Sequence, residues 1–245
     1  MSKISLMTGA LRARTIIMGS TAKHTYAYAR PAVTVDAGLV SVEECPHVLL
    51  VKRRNDPFKG FVPSPTSLAN SLTRPLTHSS TRLLSHSPGK WAFPGGFVDA
   101  NENISTAVYR ELLEETSIDL LGEHRRHAVT PLQQVRTFGD DINRDPRGWC
   151  VTILYGALVD PAVKDDTKAA DDAAEAEWFP LSSPPLDEMA FDHDEMIRRL
   201  ATACAGEGEW SHQRGVPDEV SAALRRASRV LDPAFTGGAK PPMTG

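Results

Sequence analysis

Arg110, Glu111, Glu114 and Glu115 put one guanidinium and three carboxylates into six consecutive positions, within the stretch YRELLEETSI at 109–118. On an α-helix Glu111, Glu114 and Glu115 share a face, because neighbours three and four apart stack on one another. Like charges at those spacings repel, so the chain carries a local cost that calls for a reason. One reading is a solvated acidic face, the common fate of charge runs. The other is a divalent-cation site, since hard cations such as Mg²⁺ take oxygen ligands, typically a few carboxylates completed by water and substrate phosphate. The run ends at Ser117, where a glycine would be the usual helix stop. If Ser117 takes the left-handed conformation it costs about 1 kcal/mol relative to glycine, which a folded domain absorbs, so the helix is predicted to end there.

The residues before the run decide between the two readings. Gly96, five residues, Glu102, seven residues, then Arg110-Glu111-Leu112-x-Glu114-Glu115-x-Ser117-Ile118 closely resembles the Nudix box, G-x5-E-x7-R-E-U-x-E-E-x-G-U with U aliphatic. Every defining position matches except the last glycine, which is Ser117. The resemblance to Nudix hydrolases implies water attack on phosphorus across the pyrophosphate of a nucleoside diphosphate derivative, with Mg²⁺ (or Mn²⁺) as cofactor. It makes Glu111, Glu114 and Glu115 metal ligands, aided by the backbone carbonyl of Gly95. It also makes Arg110 the group that holds the carboxylates, with Gly96 and Glu102 supporting the loop. Three carboxylates alone would repel a diphosphate; a bound cation inverts that local field and lowers the pKa of an attacking water. The general base is either a box glutamate or one supplied from elsewhere, and Glu175 and Glu177, just ahead of Trp178, are the outside candidates. His193 in AFDHDE is a candidate for substrate contact, against a capping or packing role; His78 and His86 have no assigned role.

Further segments are similar to the ADP-ribose pyrophosphatase branch of that family: YARPAVTVD (28–36), RRNDPF (53–58), KWAFPGGFVD (90–99), RTFGDDINRDPRGWCVTILY (136–155), EWFPL and AFDHDE. By that likeness Arg53 and Arg147 are candidates to grip phosphate or ribose, and Phe58 to bind substrate. Phe138 and Trp149 are candidates to stack on adenine, although core packing is the ordinary role for such side chains. The rival of a different class is a non-catalytic, Nudix-like ADP-ribose sensor. The intact carboxylates argue against it, as do the short, weakly basic segments after Leu200. A third reading keeps the enzyme and changes the substrate to an oxidised nucleoside triphosphate, NAD(H) or a nucleotide sugar.

The elements that must hold these residues are legible around them. AVTVDAGLV and HVLLVKRR read as two strands of a hairpin, and KWAFPGGFVD as a short strand entering a glycine turn. NISTAVYRELLEET is the strongest helix, with Asn103 a plausible N-cap and Ala107, Val108, Leu112 and Leu113 its packing surface. LQQVRTFG and GWCVTILYGALV read as strands joined by a polar turn, AEAEWFPL as a short strand or bend, and helices open within 184–204 and 217–231. The mixture predicts an α/β (α+β) fold, a Nudix-type α/β/α sandwich with a mixed sheet. No G-x-G-x-x-G or P-loop sequence is present.

The expected organisation is an N-terminal extension over 1–25, a Nudix domain over 26–200, and a C-terminal helix with a loose tail over 201–245. The Ser/Thr/Pro-rich stretch at about 60–89 reads as a low-complexity insertion, too long for an ordinary structureless loop. A net charge of −4 and a pI near 6.1 argue against a generic nucleic-acid binder. No apolar run approaches the ~20 residues of a membrane span. The expected partner is a small nucleotide substrate, with a homodimer as the expected assembly, no nucleic acid and no membrane. Three scattered cysteines suggest a reducing compartment. The expected location is cytoplasmic, with mitochondrial targeting as the alternative. Residues 1–30 carry Lys3, Arg12, Arg14, Lys23 and Arg30 but no acid, the composition of a transit peptide.

Overall fold

The computed structural model describes residues 30–54, 89–142, 144–145, 147–171, 173–206 and 216–232. The N-terminal extension, positions 60–88 of the expected insertion, Phe58 and the tail from 233 lie outside the described residues.

A seven-stranded mixed sheet is built from β1 (Ala32–Ser41), β2 (His47–Arg53), β3 (Trp91–Ala92), β4 (Gly95–Phe97), β5 (Gln133–Phe138), β6 (Cys150–Val159) and β7 (Ala173–Pro180). Its path runs β3-β2-β1-β6-β5, with β4 pairing β1 and β7 pairing β2. The expected β1–β2 hairpin is a minor feature of this arrangement. The two strands meet antiparallel at Val40 and Val48, but β1 pairs in parallel with β6 along its whole length, Ala32 opposite Cys150 through Ser41 opposite Val159. Such a pairing joins residues more than a hundred positions apart, beyond the reach of local patterning.

The two-residue period of β1 explains the layers. Val35, Ala37 and Leu39 face one core, where Ala107, Val108 and Leu112 of helix α1 (Ile104–Thr116) meet them. Val40 faces the other, among Met196, Ile197 and Leu200 of α2 (His193–Cys204) and Val220, Leu224 and Leu231 of α3 (Asp218–Leu231). Gly38 lets α2 approach closely, since a Cβ there would lie 2.6 Å from Leu200. The result is the expected α/β/α sandwich. Leu113, expected to pack, is 37% exposed instead, because the face of α1 that meets the sheet is narrower than the apolar sequence suggests.

Two features position the site. The glycines of KWAFPGG form strand β4 rather than a turn: Gly95 pairs opposite Asp36 and Gly96 opposite Val35. A Cβ on Gly95 would stand 2.2 Å from the Val35 carbonyl, so only bare backbone fits between β1 and α1. At its far end α1 stops at Thr116. Ser117 takes φ 63°, ψ 10° and its N–H donates to the Leu113 carbonyl, as predicted from the missing glycine.

Candidate active site

Arg110 is the centre of the box. Its Nε and Nη2 make a two-pronged pair with the Glu102 carboxylate, at 2.8 Å each. Nη1 donates to Glu111 at 2.7 Å and to Glu114 at 2.9 Å, and Nη2 also reaches the Phe97 carbonyl at 3.0 Å. The forked pairing is made to Glu102, while Glu111 and Glu114 each take a single bond. Charge-assisted bonds of this kind fix orientation as well as add energy. Glu115 turns away from Arg110 and accepts the Gly95 N–H at 3.0 Å.

Gly96 lets the helix carboxylates lie on β4, since a Cβ there would be 2.7 Å from the Glu111 carboxylate. That closeness removes water from them. Burial pushes the Glu111 carboxyl above its ordinary range against the pull of Arg110. Burial also pushes Glu115 up to about 8, opposed by the Gly95 N–H and reinforced by the nearby charges of Glu111 and Asp36. Glu114 is the outlying member, its side chain 45% exposed. Among the described residues no three His, Cys, Asp or Glu side chains converge into a preformed cation cage. The donor chemistry nevertheless suits a hard divalent cation: oxygen ligands only, with Glu111 and Glu115 half buried and the one Arg110 shared among Glu102, Glu111 and Glu114.

Beside β4 opens a cavity of about 50 Å³, whose lining includes Asp36, Arg53, Arg144, Arg147, Phe191 and His193. Arg53 and Arg147, paired in the sequence reading as anion-binding candidates, come together around Phe191, with guanidinium carbons 4.9 and 5.4 Å from its ring centre. Arg147 also stacks on Phe97 at 4.6 Å and is held by a forked pair with Asp145, at 3.0 and 2.6 Å. Burial acts to raise the Asp145 carboxyl, but the Arg147 donors prevail and hold it below its ordinary range. Burial and the nearby Arg147 charge weaken the hold of Arg53 on its proton, and its buried Nε has no hydrogen-bond partner among the described residues. Such an orphaned donor beside a cavity is a place for an anion.

His193 stands at the first position of α2, and its Nδ1 accepts the Phe93 N–H at 3.0 Å. The ring proton therefore sits on Nε2. Burial, then the charges of Arg144 and Arg53, push its pKa well below the ordinary value, so the ring is a neutral donor. Asp36 is pushed up to about 7 by burial, with Arg144 opposing. Glu175 lies elsewhere. It sits on β7 opposite Lys52, 3.2 Å from the Lys52 amine and 54% exposed, and among the described residues no hydrogen bond or ion pair joins it to the box or the cavity. Phe138 is buried in the core beside α2, whereas Trp149 is 49% exposed.

Sequence reasoning passed over Asp36, Arg144, Asp145 and Phe191 as site residues. Asp36 had a signal: Thr34 and Asp36 are polar, two apart, in an otherwise apolar strand, hence on one face. Arg144 and Asp145 fell in a stretch read as a polar turn, but both are nearly buried, at 4% and 5% exposure. Phe191 carries a positive φ of 53°, which no local pattern announces.

Known proteins share both fold and sequence with this chain. The family model for the NUDIX domain matches residues 76–200. An ADP-ribose pyrophosphatase of Methanocaldococcus jannaschii is 31% identical over 171 residues, covering 70% of this chain and 73% of that protein. The ADPR responsive transcriptional repressor NtrR of Acinetobacter baylyi is 31% identical over 176 residues, 70% of this chain but only 54% of its own length. Among solved structures, a mutT/nudix family protein from Listeria innocua is 33% identical, covers 73% of this chain and 98% of that one, and superimposes with a TM-score of 0.50. The family match, the pyrophosphatase relative and the box geometry agree, and the chain belongs to the Nudix family.

Proposed function

We propose that this protein is a hydrolase that splits the pyrophosphate of ADP-ribose, or of a related nucleoside diphosphate derivative, by water attack on phosphorus. One observation carries the reading: the half-buried carboxylates of Glu111 and Glu115 lie against the bare glycine backbone of β4, beside a cavity walled by Arg53 and Arg147. That pairing of a cation-seeking set with an anion-seeking set suits a substrate whose diphosphate lies across both. The similarity to an ADP-ribose pyrophosphatase supports the substrate class.

Glu111 and Glu115 would hold a divalent cation, Mg²⁺ or Mn²⁺, with Glu114 at the solvent side. Such a cation, when bound, neutralises phosphate charge and makes water a better nucleophile. Arg110 and Glu102 keep the carboxylates from swinging apart, and the Gly95 N–H fixes Glu115. Arg53 and Arg147 face the diphosphate with charge-assisted donors. For the base, Glu175 is poorly placed, being exposed and engaged by Lys52, which favours a box glutamate.

Purified full-length chain with ADP-ribose and Mg²⁺ is expected to release AMP, with kcat lowered roughly a hundredfold or more in Glu115→Gln. Wild-type turnover in that variant would remove the carboxylate from the reaction. The second reading, a sensor that binds ADP-ribose without cleaving it, is favoured by the repressor relative. Binding with no turnover under any divalent cation would establish it in place of the hydrolase.

A further inference from the structure

Asp36 and His193 both line the cavity and are buried, 7% and 5% exposed, beside Thr34, Arg144, Asp145 and Thr152. Nε2 of His193 stands 3.9 Å from Oδ2 of Asp36, too far for a hydrogen bond. No other described residue donates to the Asp36 carboxylate. A pair kept only for stability would close that gap to hydrogen-bond distance. Instead β1 and α2 hold an acceptor and a donor side by side, both on the cavity wall and both unfinished.

The chemistry of the two groups limits what can complete them. A phosphate is served by Arg53 and Arg147 on the same wall and finds no donor in the Asp36 carboxylate. A metal ion finds no lone pair on His193, because Nδ1 is occupied by the Phe93 N–H and Nε2 carries the proton. The space of about 50 Å³ takes a few water-sized groups, so what reaches the two side chains is a small polar substituent. A hydroxyl suits both, since it donates to the carboxylate and accepts from the imidazole. Two adjacent hydroxyls on one sugar would serve the two groups together while the attached phosphate reaches Arg53.

We propose that Asp36 and His193 form a sugar-reading floor, which takes the vicinal hydroxyls of a ribose carried by the diphosphate. The proposal rests on the nucleoside diphosphate reading above and adds the moiety by which the site selects. The diol can belong to either ribose of ADP-ribose, and the test separates the two sources.

The experiment is calorimetric binding to the full chain in chelator, so that turnover plays no part. The ligands are ADP-ribose, AMP, ribose 5-phosphate and the 2′,3′-dideoxy counterpart of each monophosphate. Wild-type protein is expected to bind the dideoxy ligand about tenfold or more weakly than its parent. Asp36→Asn and His193→Gln are expected to erase that preference. Loss confined to ribose 5-phosphate assigns the floor to the terminal ribose, and loss confined to AMP assigns it to the adenosine ribose. Equal binding of ribose and dideoxy ligands by wild-type protein overturns the proposal, and this comparison needs no variant to fold. Binding of ADP-ribose with a ribose preference but without hydrolysis leaves the floor standing and removes only the hydrolase reading. Absence of binding by both AMP and ribose 5-phosphate overturns the floor, and absence of binding by ADP-ribose as well overturns the hydrolase reading too.

Discussion

At residue 117 the chain carries a side chain where bare backbone would fit better. The left-handed conformation that ends α1 brings Cβ against the preceding carbonyl, and only glycine escapes that contact. The Ser117 hydroxyl recovers little, with a long 3.4 Å approach to the Lys168 carbonyl. Ser117→Gly is therefore expected to raise unfolding stability by about 0.5–1 kcal/mol, measured by urea denaturation. A destabilised glycine variant would mean that the serine contributes something besides its backbone shape. The same position shows how far residue-level reading reaches. Conformation at 117 follows from the box pattern alone, and so does the companionship of Arg110 with acids. Which acid takes the fork does not, because that depends on where β4 lies relative to α1, and β4 is placed by Gly95 and Gly96 packing on β1 and Glu111.

Among elements, the helices and most strands are written in local periodicity, and α1 is the best example. The pairings are not. β1 joins β6 across an interval that contains β4 and α1, so its parallel register is a property of the assembled sheet. The stretch between β5 and β6 shows what is lost when an element is read in isolation. Its Arg144 resembles a surface charge, yet it is 4% exposed, with Nε and Nη2 on the two oxygens of Asp192 at 2.9 and 2.5 Å and Nη1 on Thr152. This ion pair ties the loop that carries Asp145 and Arg147 to the residue just before α2, which presents His193. Removing one partner of a buried pair strands the other charge, so Asp192→Ala is expected to cost about 3 kcal/mol in chemical denaturation. Substrate affinity should fall with it, because Arg147 loses its platform. A cost below about 0.5 kcal/mol would show the pair to be solvated, in the range of exposed salt links.

Across the whole molecule, the sandwich gathers carboxylates from opposite layers toward one end of the sheet, Glu111 and Glu115 from α1 and Asp36 from β1. Among the described residues Glu111 alone of the three is hydrogen-bonded to a cation, Arg110, and burial favours the protonated form of all three. Glu115 ionises at about 8 in the fold against an ordinary 4.5, and Asp36 at about 7 against 3.8. A carboxyl raised in this way favours the folded state fully below its ordinary pKa, and that contribution disappears as pH rises through the folded value. In chelator, the melting temperature is therefore expected to decline between about pH 5 and pH 8.5, and less steeply in Glu115→Gln, which keeps its shape but has no proton to lose. A divalent cation binds the ionised form and should oppose the decline, by mass action on the folded state. Added Mg²⁺ is thus expected to raise the wild-type melting temperature more at pH 8.5 than at pH 6, and to do so weakly in Glu115→Gln. Thermal melts at both pH values, with and without Mg²⁺, measure all of these terms. An identical Mg²⁺ response in the two proteins would place any bound cation away from Glu115, and would leave the crowding of acids on α1 a matter of Arg110 and solvent alone.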